Sequence, residues 1–118
     1  MKRIIAFLLI LLVGCVARAT PLDDSEATPK GVQTTVDAMN QFAIDFYKTQ
    51  GKTDENIFFS PYSISTAFAM VYEGAKGETA EEMQKVFHFP VDAIRQPSYA
   101  RIQNMLNTPN KYTLESAN

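Results

Sequence analysis

The chain has 118 residues, one cysteine, one histidine and a formal net charge of −2 at pH 7. This length sets the expectation of one domain. Residues 1–19 hold Lys2, Arg3 and Arg18 but no acid, so losing these three cations moves the charge from −2 to −5; an acidic chain argues against nucleic acid or an anionic membrane surface as partner.

Residues 1–19 have the layout of an export signal. Lys2 and Arg3 form a basic start, and residues 4–13 are an unbroken apolar run, too short to span a bilayer permanently. Two processing routes stay open. Ala17-Arg18-Ala19 is an A-x-A cleavage site that would free Thr20, and the expected product is secreted. Leu12-Val13-Gly14-Cys15 resembles a bacterial lipoprotein signal, in which processing before Cys15 leaves that cysteine lipidated and the protein anchored in the envelope. Since Cys15 is the sole cysteine, no internal disulfide can form. Residues 20–31 carry two prolines, three acids and one large apolar residue, which predicts a flexible linker.

The folded part is expected over 32–118. Val32, Val36, Met39, Ala43, Phe46 and Tyr47 recur at helical spacing, with Phe42 widening the stripe; this predicts an amphipathic helix over 32–49 that stops at Gly51. Residues 56–59 hold three consecutive large apolar side chains, Ile57, Phe58 and Phe59, and predict a short strand buried on both faces. Ser60 is an expected N-cap and Pro61 an expected first helical residue. The following helix, over 61–75, is apolar nearly all round and reads as a central core helix. Thr79 and Glu82 have capping-box spacing for a helix over 79–87, with Pro90 beyond it. After an expected turn at Gln96-Pro97, Tyr99, Ile102, Met105 and Leu106 outline another helix over 99–107. Tyr112 and Leu114 then alternate with polar residues, as in a strand.

No catalytic constellation stands out. His88 is expected as a helix-end residue, and Ser60, Ser63 and Ser65 sit in no glycine-flanked elbow. No pair of His or Cys residues has metal-ligand spacing, and no cofactor is expected. Gly74-Ala75-Lys76-Gly77 is too short for a phosphate loop and follows a helix. Arg95, Arg101 and Lys111 read as a solvated face, so no glycosaminoglycan site is expected in this segment.

Several stretches together resemble the N-terminal region of serpins: Asn-Ile-Phe-Phe-Ser-Pro-Tyr-Ser-Ile at 56–64, Ala-Phe-Ala-Met at 67–70, Gly-Ala-Lys-Gly-Glu-Thr-Ala-Glu-Glu-Met at 74–83 and Phe-His-Phe at 87–89. Tyr-Thr-Leu-Glu-Ser-Ala-Asn at 112–118 is similar to the family's Tyr-x-Leu-x-x-Ala-Asn strand start. The resemblance implies an α+β, serpin-like fold, of which the chain supplies the helix A to helix D region, one inner strand of sheet B and the start of a sheet-A strand. It implies an inhibitor of serine or cysteine proteases, not an enzyme. The protease cleaves an exposed reactive loop, and the loop inserts into sheet A. By motif match, Asn56, Ser60 and Ser63 fall in the shutter region where that sheet parts; Ser60 as a plain cap and Asn56 as a satisfied core group are compatible readings. The reactive centre lies outside this chain, so the segment as given is expected to trap no protease and to expose Phe58, Phe59 and one face of the 61–75 helix. A non-inhibitory serpin (carrier, storage protein or chaperone) and a short truncated interaction protein are the alternatives.

Overall fold

The computed structural model describes residues 21–51 and 56–108. They form four helices: α1 over Pro29–Gln50, α2 over Pro61–Tyr72, α3 over Glu78–Phe87 and α4 over Asp92–Asn107. The organising helix is α1, which packs against each of the other three, while α3 also packs on α2.

The start of α1 lies inside the segment expected to be a linker. Thr28 Oγ1 accepts the N–H of Gly31 at 3.0 Å, and Pro29 occupies the first turn, where its missing N–H costs nothing. A local cap and a proline thus outweigh a linker-like composition. The buried side of α1 is Gly31, Thr35, Met39 and Phe42. Tyr47, expected inside, is 60% exposed, whereas Thr35 is fully buried. The helix is therefore rotated toward its small residues, which let α4 approach: a Cβ on Gly31 would lie 3.1 Å from Ser98 Oγ. Ser98 is itself almost fully buried.

Residues 56–59 form no strand in this structure. Phe59 packs on Phe46 with ring centroids 4.7 Å apart, but Phe58 is fully exposed. A strand buried on both faces needs neighbouring strands, and none exists among the described residues. α2 starts at Pro61 as expected but stops at Tyr72, where the N–H groups of Gly74 and Ala75 fold back onto Val71 and Tyr72 carbonyls at 3.1 Å. Its buried residues are Ser65, Thr66 and Ala69, while Phe68, Met70 and Val71 are exposed. The expected central helix is thus covered on one side only.

The capping box of α3 does not form. The helix begins at Glu78, so Thr79 lies inside the first turn; Gly77, at φ 57° and ψ −139°, takes the cap position with no side-chain cap. The helix ends at His88 in the left-handed region, φ 54°. That reversal turns Phe89 back toward the core, where its N–H donates to Gln84 O at 3.1 Å and its ring stacks on Phe87 at 5.2 Å.

α4 begins seven residues before the expected 99. The Val91 carbonyl accepts the N–H groups of Ile94 and Arg95, both at 2.9 Å, and the helix runs through Pro97. The proline forfeits one intrahelical bond, while Arg95 and Ser98 on either side of it are buried against the rest of the chain. The core is Phe42, Ala69, Phe87 and Phe89, with Phe46, Ile64, Tyr72 and Tyr99 packed around it. Its aromatic pairs, such as Phe42–Phe87 at 4.7 Å, each contribute about 0.5–1.5 kcal/mol beyond area burial. The strand expected at 112–118 lies outside the described residues.

Candidate functional site around Arg95

Arg95 is 2% exposed, although its spacing from Arg101 and Lys111 reads as a solvated basic face. Burying a guanidinium is costly unless its charge and donors are matched. Here Nη1 donates to Asp92 Oδ1 at 2.8 Å and Nη2 donates to Glu73 Oε1. The second carboxylate oxygen of Glu73 accepts from Gln96 Nε2 at 2.7 Å. The guanidinium carbon lies 4.4 Å from the Tyr72 ring centroid and 5.7 Å from that of Phe89. Asp92 and Arg95 come from the first turn of α4, and Glu73 is the C-cap of α2. The Asp92-x-x-Arg95 spacing was the available signal, but it does not reveal the partner from α2. With two carboxylates on one guanidinium, Arg95 offers no free charge to an anionic ligand; it locks the end of α2 to the start of α4.

Beside this lock, α2 and α4 are joined a second time. The hydroxyls of Ser65, fully buried, and Tyr99 share a hydrogen bond. Burial pushes the Tyr99 phenol above its ordinary value, with the Ser65 bond and the Arg95 charge opposing. Between the helices runs a cleft of about 560 Å³, lined by Thr66, Ala69, Met70, Tyr99, Ala100 and Gln103, with Leu22 and Asp23 at its edge. Thr66 is 5% exposed, and its Oγ1 has no partner among the described residues.

Of the residues singled out by sequence, Ser60 and Ser63 come together: Ser60 Oγ accepts the Ser63 N–H at 3.3 Å as the N-cap of α2. Asn56, Ser60 and Ser63 are all exposed. His88 Nε2 meets Asp45 Oδ2 at 2.9 Å, and no serine hydroxyl joins them among the described residues. That bond is the first cause of an Asp45 carboxyl held below the usual carboxylate value, followed by the Gln41 side-chain bond. Arg101 pairs with Asp24 at 3.2 Å. Cys15 and Lys111 lie outside the described residues. Among the described residues no group of three potential metal ligands occurs, and no helix is long and apolar enough to cross a membrane.

Comparison with known proteins matches the chain to a family. The family described as Serpin (serine protease inhibitor) matches residues 37–118. An uncharacterized serpin-like protein from Methanosarcina mazei is 36% identical over 126 residues, covering 94% of this chain and 30% of the relative. Another from Thermococcus kodakarensis is 56% identical over 57 residues, covering 48% of this chain and 13% of the relative. Serpin B10 from Sorex araneus is 49% identical over 63 residues, covering 52% of this chain and 16% of the relative. No solved structure matches the chain significantly. The chain spans less than a third of the length of these relatives. The match over 37–118, which takes in α2, α3, α4 and most of α1, assigns the chain to the serpins, a family of protease inhibitors.

Proposed function

We propose that this chain is the N-terminal portion of a secreted serpin whose whole product inhibits serine or cysteine proteases by reactive-loop cleavage and insertion into sheet A. The observation that carries the reading is the family match over 37–118, joined by the motif run at 56–64. In the whole product, strands pair with residues 56–59, and a sheet covers the exposed Phe68 and Val71 face of α2. The fold is then α+β, and the apolar surface open here is internal. Asn56, Ser60 and Ser63 belong to the shutter and exchange hydrogen-bond partners as the sheet parts.

Export follows from residues 1–19, with Thr20 as the new N-terminus after A-x-A cleavage. Sequencing the N-terminus of the exported product tests this, and incorporation of labelled fatty acid at Cys15 would favour the lipid-anchored alternative. The rival reading is a non-inhibitory serpin. Cleaving the reactive loop of the whole product and measuring its melting temperature separates them: a marked rise supports loop insertion, and an unchanged value supports the carrier, storage or chaperone class.

A further inference from the structure

The segment ahead of α1 is built onto α4 by contacts that recognise its main chain. The Asn104 side chain makes two bonds to one residue: Oδ1 accepts the Leu22 N–H at 3.0 Å, and Nδ2 donates to the Leu22 carbonyl at 2.8 Å. One helical turn earlier, Arg101 Nη1 holds Asp24 Oδ2 at 3.2 Å. The segment is also shaped in advance: Asp23 Oδ1 accepts the Ser25 N–H at 3.0 Å, and the Asp24 carbonyl accepts the Ala27 N–H at 2.9 Å. These turns lead directly into Thr28, the N-cap of α1. Leu22 and Asp23 thereby border the α2–α4 cleft, whose floor carries the unpartnered Thr66 hydroxyl.

We propose that residues 22–24 form a releasable strap that closes the edge of the α2–α4 cleft, and that Asn104 and Arg101 form the docking site for it. An amide side chain satisfying both the N–H and the C=O of one residue reads an extended main chain rather than a side chain, as an added strand is read. Arg101 adds a preference for an acid two residues further on. The occupant is the chain's own acidic segment, tethered through Thr28 at high effective concentration. Releasing it widens access to the buried apolar lining given by Ala69 and Ala100. This does not depend on protease inhibition.

Amide hydrogen exchange on the full chain tests the strap. The Leu22 amide is expected to exchange roughly tenfold more slowly than an unstructured leucine, because one modest hydrogen bond holds its N–H and a second, to the Leu22 carbonyl, holds the residue in place. Asn104→Ala is expected to remove that protection while Met39 and Phe42 of α1 keep theirs. Arg101→Ala, at a position 56% exposed, is expected to weaken it without disturbing the helices, and serves should Asn104→Ala misfold. As a trans test, a chain carrying Leu22→Pro, which removes the N–H that Asn104 accepts, and Asp24→Ala is expected to bind a synthetic peptide of residues 20–26, and the same chain with Asn104→Ala is not. A Leu22 amide that exchanges at the unstructured rate in the wild type, or equally in the wild type and both α4 variants, overturns the proposal. So does peptide binding indifferent to Asn104.

Discussion

The guanidinium of Arg95 lies 4.4 Å from the centroid of the Tyr72 ring, with Glu73, the next residue in the chain, bonded to the same group. One cation thus takes a face contact and an ion pair from adjacent residues at the end of α2. Arg95→Ala is expected to cost about 2–3 kcal/mol, from lost charged hydrogen bonds and lost stem packing. Glu73 and Asp92 stay partly exposed, so the substitution strands no buried charge. Arg95→Met, which keeps the stem, is expected to lose less. Urea unfolding followed by circular dichroism compares the two.

Ser65 and Tyr99 provide a second, independent tie between α2 and α4. Tyr99→Phe is expected to cost about 1–2 kcal/mol, because the Ser65 hydroxyl is left buried without its partner. The double variant with Ser65→Ala should cost less than the sum of the two single changes.

The same phenol sets a pH dependence. Its value is raised above the ordinary 10.0, so the folded state favours the neutral form. The stability it contributes is fully present below pH 10 and is lost as pH rises through the folded value. An absorbance titration at alkaline pH should show one tyrosine ionising late, and that late step should vanish in Tyr99→Phe.

Much of this fold is legible wherever the signal is local. Ser60-Pro61 starts α2 because a hydroxyl and a ring act on their own turn, and the apolar period of α1 survives at Met39 and Phe42, which are buried where the helix meets its neighbours. Polar residues in packed positions are the ones missed. Thr35, Ser98 and Arg95 are buried because small side chains allow a close helix crossing and because Arg95 finds carboxylates and rings, facts that depend on α4 lying against α1 and α2. The expected strand at 56–59 fails for a related reason: its stability belongs to partners absent among the described residues. The cleft and the strap join residues 82 apart in sequence, beyond the reach of any periodicity.

Gly77 and Thr79 separate the expected cap from the observed one. Gly77→Ala is expected to destabilise by about 1 kcal/mol, since φ +57° disfavours a Cβ although no atom lies within 4 Å to clash. Thr79→Ala is expected to be neutral or slightly stabilising, because its hydroxyl caps nothing and alanine is the better helix former. A true capping box would give Thr79→Ala the larger loss. Thermal melts of both variants decide the matter.

His88 sits in the left-handed region while holding Asp45. The lowered Asp45 value means that its contribution is present above pH 3.8 and is lost as pH falls through the folded value. In His88→Ala the Asp45 carboxyl is expected to titrate closer to 3.8, as read by NMR of the side-chain carboxyl. An unmoved titration would show that the pair does not persist in solution.

A search for an SDS-stable complex tests protease trapping by the whole product. The whole product is incubated with a panel of serine and cysteine proteases and resolved under denaturing conditions. With at least one protease, a covalent band is expected at the combined mass of inhibitor and enzyme less the C-terminal peptide freed by loop cleavage, and only with an active protease. Cleavage of the product by every protease that attacks it, with no such band, would show that the product is a substrate and not a trap.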